Sequence, residues 1–270
     1  MSIVLIIGTI LFFLVGITLG LIGAGGSILS IPILTYIFGY EGQLGITYAL
    51  FIVGVTALVG TLRAHSNNNL SIQTALLLFI PSSITVFIIR KYILNLIPKH
   101  IATIGNLVIT DNMLTMTLFA IIMMIAARAM LKKDKPQPNP KYNNPKNRIP
   151  VIILSGIVVG ILTGFFGSGG GFMIVPILVL IFGTPIKTAV GTSLFIISLN
   201  SLSGFANDIF LGNTPVEWSL LFGLASIATI GIFVGSMLSK RISGDKLKPI
   251  FGIFLLIMGI FIFVKEIFFQ

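Results

Sequence analysis

The chain has 270 residues, of which 56% are hydrophobic and 9% charged, and its mean hydropathy is +1.09. A soluble domain carries roughly 25% charged residues to coat its surface, and 17 Lys+Arg with 7 Asp+Glu cannot supply that. Composition therefore excludes a cytosolic enzyme, a disordered chain and a secreted disulfide scaffold, and leaves a polytopic membrane protein. The net charge of +10 sits in clusters between apolar stretches. That is the pattern of membrane-flanking loops, not of a folded nucleic-acid-binding face. There is no cysteine, which removes disulfides, thiolate metal sites and iron–sulfur clusters. The two histidines, His65 and His100, cannot build a His-rich metal site and read as loop residues, so no cofactor is expected.

In chain order, long apolar stretches cover roughly 3–22, 43–62, 70–90, 112–131, 149–166, 186–207, 217–239 and 249–268. Each is close to the ~20 residues a helix needs to cross a bilayer. The first is a retained span, because no Lys or Arg precedes Arg63 to make a signal-peptide n-region. Two shorter apolar pieces, 28–38 and 172–182, follow glycine clusters and read as half-helices or re-entrant segments. The fold class expected is an all-α polytopic membrane protein of about eight spans. Residues 132–148, KKDKPQPNPKYNNPKNR, block both helix and insertion. They divide the chain into a transmembrane repeat at 1–131 and another at 149–270, joined by a basic cytoplasmic linker. With eight simple crossings the basic loops around Lys99, Lys132 and Lys240 cannot all share one side, so the orientation elsewhere stays open.

Shifted by 144 residues, the chain matches itself. Residues 20–39, GLIGAGGSILSIPILTYIFG, and 164–183, GFFGSGGGFMIVPILVLIFG, agree at ten of twenty positions, where chance gives roughly one in ten. Leu50-Phe51-Ile52 aligns with Leu194-Phe195-Ile196, and Gly60 with Gly204. Internal repeats are typical of secondary transporters, whose substrate sites lie near the midplane, between interrupted helices of the two halves. The matching interruptions are Gly23, Gly25 and Gly26 in one half, and Gly167, Ser168, Gly169 and Gly170 in the other. A helix restarting after such a break presents free N–H groups and a positive dipole end, which suits an anion. Pro32 and Pro176 follow, as fits a position near a helix start. The competing reading is close helix packing through small residues.

Polar residues are concentrated in 191–208, GTSLFIISLNSLSGFAND. Thr192, Ser193, Asn200, Ser203 and Asn207 recur at spacings of three, four or seven and form one stripe. Their first-half counterparts are less polar: Tyr48 stands opposite Thr192, and Thr56 opposite Asn200. Asp111, Asp208 and Glu217 lie near span ends, so no carboxylate holds a clear midplane position for a cation. Lys187 can attract an anion or snorkel to the interface.

These motifs, with AVGTSLFIISLNSLSG at 189–204 and VEWSLLFGLASIATIGIFVGSMLSKRISGDKLKPIFGIFLLIMGI at 216–260, resemble the TauE/SafE sulfite exporter family, also called the toluene sulfonate uptake permease family. The resemblance covers nearly the whole chain. It implies a multi-pass inner (plasma) membrane protein that moves sulfite, a sulfonate or a related organic anion. It carries over the glycines at 23, 25, 26, 167, 169 and 170, with Thr192 and Ser193. The expectation is a secondary transporter of a small anion, not an enzyme, with its site between the two broken helices. A passive anion channel of the same architecture is the alternative. The partners expected are the anion and the bilayer. The anion's identity, the direction of transport, coupling to protons, the relative orientation of the halves and the oligomeric state stay open.

Overall fold

The computed structural model describes residues 3–23, 25–40, 42–93, 100–104, 107–132, 145–166, 171–212 and 216–268. Of the expected linker at 132–148, residues 133–144 lie outside them, as does the glycine cluster at 167–170; residues 145–148, expected to block helix, instead open a helix. Each apolar stretch folds as helix: α1 (Ile3–Ile22), α2 (Gly25–Tyr36), α3 (Gly42–Ser66), α4 (Ile72–Ile88), α5 (Asp111–Leu131), α6 (Pro145–Phe166), α7 (Ile174–Pro176), α8 (Ile186–Gly212), α9 (Trp218–Arg241) and α10 (Gly244–Phe268). π-Helical turns extend α4 over Ile89–Ile93 and α7 over Ile177–Ile181. Six helices, α1, α3, α4, α8, α9 and α10, have the length and hydropathy of a full crossing, while α5, α6 and the α7 segment contain shorter apolar pieces.

The fold is all-α apart from one short strand pair: β1 (His100–Ile104) and β2 (Leu107–Thr110) pair antiparallel, with Thr103 opposite Val108. β-Branched residues flank a Gly-Asn dipeptide there, the composition of a hairpin. His100 is in β1, and His65 is in the last turn of α3. Pro32 also lies well inside α2 instead of at its start, and Pro176 leads directly into a π-helical turn, a common answer to a missing backbone N–H.

The sense of packing between helices follows from their contacts. Along α1 and α9, Gly16 lies against Ala228 and Gly231, and Gly20 against Ile232, Gly235 and Ser236, so these two run parallel. Along α4 and α6, Gly156 lies against Leu78 and Pro81, Gly160 against Ser82 and Gly164 against Ile89, also parallel. Between α3 and α8 the pairs are Thr47 with Asp208, Gly54 with Leu202, and Gly60 with Leu194, which is antiparallel. Between α5 and α10, Gly252 lies against Leu131 and Gly259 against Met124, again antiparallel. Helix α2 turns back along α1: Gly26 touches Leu19, and Phe38 covers Gly8.

Two ends of the bundle result. One holds Lys132 and the starts of α4, α6, α8 and α10, as Gly244 against Ile186 and the Lys248 Nζ bond to the Lys132 carbonyl (3.0 Å) show. This linker end also carries Arg63, Lys187, Lys240 and Arg241. The hairpin end carries Arg90, Lys91 and Lys265, together with aromatic residues: Phe51 packs edge-on to Trp218 and Phe222. Aromatic rings at a bundle end suit the membrane interface. The apolar side chains left exposed on α1, α4 and α10, such as Ile10, Ile80 and Ile257, suit contact with lipid tails.

Candidate functional site

Helices α3 and α8 form the enclosed centre. At the hairpin end they are joined by Thr47 Oγ1 donating to Asp208 Oδ2 at 2.9 Å, with both residues buried. Near the linker end, α1 stops at Gly23, whose φ of +82° closes the helix and is a conformation that costs an L side chain roughly 1–2 kcal/mol. A β-carbon there would also strike Ser193 Oγ and Val190. The Ser193 hydroxyl sits 2.8 Å from the Val190 carbonyl and 3.2 Å from that of Gly23. The structure thus brings Gly23 and Ser193 together across α1 and α8. The break is off-centre, because Ser193 is seven residues into α8, roughly 10 Å along it.

The other expected residues face different neighbours. Gly25 lies against the Phe254 ring of α10, and Gly26 against Leu19 and the Val15 carbonyl of α1. Thr192 Oγ1 accepts the backbone N–H of Ser71 at 3.1 Å, satisfying a donor at the start of α4. Asn200 sits mid-helix and faces a cavity of about 540 Å³. Gly167, Ser168, Gly169 and Gly170 are outside the described residues.

That cavity lies between α3, α4, α6 and α8, with Lys91 and Asn207 on its hairpin-end side. The polar stripe of α8 contributes Asn200, Ser203 and Asn207 to its wall, and Gly171 begins the α7 segment beside them. Ser83 Oγ donates to Asn200 Oδ1 at 2.8 Å, which leaves the Asn200 amide N–H groups for a ligand. Thr163 also lines the wall; its Oγ1 is buried and has no partner among the described residues. Ser83 and Thr163 were missed from sequence. A signal existed for Thr163, a hydroxyl four residues before the second glycine cluster, whereas nothing local marks Ser83. An oriented hydroxyl and amide in an apolar wall bind acceptor atoms, and Lys91 at the rim adds one positive charge.

A second cavity of about 130 Å³ opens toward the linker end between α1, α3, α8 and α9. Its walls include Gly60, Arg63 and Leu194, which the 144-residue shift places on Gly204, Asn207 and Leu50 of the first cavity. Neither cavity is lined by Gly23, Gly25 or Gly26.

Residues 8–262 match the family model described as "Sulfite exporter TauE/SafE". The chain is 27% identical over 261 residues to a "Probable membrane transporter protein" of Methanocaldococcus jannaschii, covering 92% of this chain and 91% of that one. It is 26% identical over 290 residues to another of the same description in Bacillus subtilis, covering 99% and 100%. A "Sulfite exporter TauE/SafE family protein" of Arabidopsis thaliana matches over 107 residues at 23% identity, 38% of this chain and 24% of that one. With its apolar helices, this makes the chain a multi-pass plasma-membrane protein, and it belongs to the sulfite exporter TauE/SafE family.

Proposed function

We propose that the protein is a secondary transporter of a small anion, built from two inverted halves and working by exchange between the two cavities. One observation carries this reading: three aligned pairs of positions, Leu50 with Leu194, Gly204 with Gly60 and Asn207 with Arg63, line separate cavities of about 540 and 130 Å³ toward opposite ends of the bundle, and a further cavity of about 900 Å³ lies beside the second at the linker end. In an inverted pair the unequal cavities are two conformations of one unit. Exchanging those conformations closes the first and opens the second. The antiparallel pairing of α3 with α8 and of α5 with α10, each helix with its repeat counterpart, supports the inversion.

In this reading the linker end faces the cytoplasm, since most Lys and Arg are there. The substrate rests at the closed base of the larger cavity. Asn200 and Thr163 donate to it, Gly171 lets backbone approach it, and Gly23 with Ser193 forms the packed barrier toward the cytoplasm. The expected sulfur oxyanion or organic anion suits neutral donors and an absence of facing carboxylates. The test is sulfite flux into proteoliposomes, with and without a pH gradient, against sulfate, thiosulfate, sulfoacetate and acetate as competitors. Saturable flux with selective competition is expected, and the pH arm reads whether a proton moves with the anion. Absence of flux for every anion in folded protein, or single-channel currents in place of saturation, overturns the reading.

A further inference from the structure

The two equivalent cavities differ in charge. Where the larger has Asn207, the smaller has Arg63, and Lys187 stands beside it. Lys240 adds a third cation at the rim. No carboxylate is among the residues that line this cavity. Arg63 and Lys187 are half-buried, and neither has an acidic partner among the described residues. Arg63 instead lies 5.0 Å over the Phe233 ring, which restrains its guanidinium.

Surface cations that merely fix topology reach into water, as the exposed Lys246 does. Half-buried cations lining one cavity repel each other, and an anion bound between them offsets that repulsion. The shared architecture does not demand them, because the equivalent cavity is built without them. We infer that Arg63 and Lys187, with Lys240 at the rim, form a second anion site in the cytoplasmic vestibule, suited to a small divalent oxyanion of the sulfate or sulfite class. The guanidinium fork matches two oxygens of such an ion, and Asn69 and Ser236 offer neutral donors beside it. The cavity, of about 130 Å³, has room for one small oxyanion. The inference rests on the transporter reading for its orientation, and its binding test is independent of flux.

Full-length protein in nanodiscs is titrated calorimetrically with sodium sulfate and with sodium sulfite at low ionic strength. Saturable binding is expected, weakened at least roughly tenfold by Arg63→Gln and by Lys187→Gln, less by Arg63→Lys, and unchanged by Lys246→Gln. Unchanged thermal midpoints certify the fold; if Arg63→Gln fails that check, Arg63→Lys and Lys187→Gln carry the test. Wild-type affinity in the folded variants, an equal loss in Lys246→Gln, or no binding of either ion to the wild type overturns the site. Flux measured on the same preparations separates the two ideas. Binding that persists without flux sinks the transporter reading alone, and flux without binding sinks this site alone.

Discussion

Tyr48 on α3 and Thr192 on α8 occupy equivalent positions of the two halves, yet one is a bulky phenol and the other a small hydroxyl. Both do the same work. Tyr48 Oη accepts the Glu217 N–H at 2.8 Å at the start of α9, and Thr192 Oγ1 accepts the Ser71 N–H at the start of α4. The difference is one of reach: in each half a central helix satisfies the first exposed donor of the other half's fourth helix, whatever the gap. The two side chains differ, yet each satisfies a donor at a helix start. A hydroxyl that sequence alone assigns to substrate is therefore, in this fold, also part of the frame.

The same comparison runs through the glycines. Gly20 and Gly164 are equivalent, but a β-carbon on Gly20 meets the backbone of Ile232 and Ser236, whereas on Gly164 it meets the Ile89 side chain. Backbone cannot yield, so Gly20→Ala is expected to cost about 3 kcal/mol and Gly164→Ala about half that. Thermal unfolding in detergent measures both, and equal losses would break the contrast. Gly23→Ala combines an unfavourable φ with a collision against Ser193, for about 2 kcal/mol in total. Adding Ser193→Gly should recover part of it, and failure to do so would leave the cost to φ and to the Val190 contact.

Smaller effects sharpen the pairing of Tyr48 with Thr192. Tyr48→Phe and Thr192→Val each remove one acceptor from a helix start, and each should lower stability by about 1 kcal/mol. A transport defect in Thr192→Val beyond that of Tyr48→Phe would return Thr192 to the substrate. Smallest in stability is Thr163→Val, which exchanges an unpartnered buried hydroxyl for a methyl and should leave the thermal midpoint unchanged or raise it. Its flux should nevertheless fall roughly tenfold. Normal flux would remove Thr163 from the pathway.

Helix positions were legible because hydropathy alone places them: the stretch at 186–207 is α8, and the stretch at 217–239 is α9. The direction of the short pieces was not legible, because a 12-residue helix can re-enter or cross, and the contacts of Gly26 with Leu19 and of Phe38 with Gly8 fix its return along α1. The β1–β2 pair escaped notice since strands of five and four residues are swamped by neighbouring spans. Asn200 was legible as a cavity residue through its polar stripe. The partner of Thr192 was not, since Ser71 is 121 residues away. Gly25 and Gly26 showed a break in sequence, but their neighbours, Phe254 and Leu19, come only from packing.

The pairing of α1 with α9 also dictates how the molecule can be made. Gly16 and its neighbour Gly231 are more than 200 residues apart in the chain. At about 5–20 residues per second of synthesis, α1 waits roughly 10–40 s in the bilayer before its closest neighbour is translated. During that interval its small-residue face is open to lipid or to whatever chaperones the nascent chain. A ribosome that stalls anywhere before α9 leaves α1 packed against α2 but with the glycine face that meets α9 uncovered.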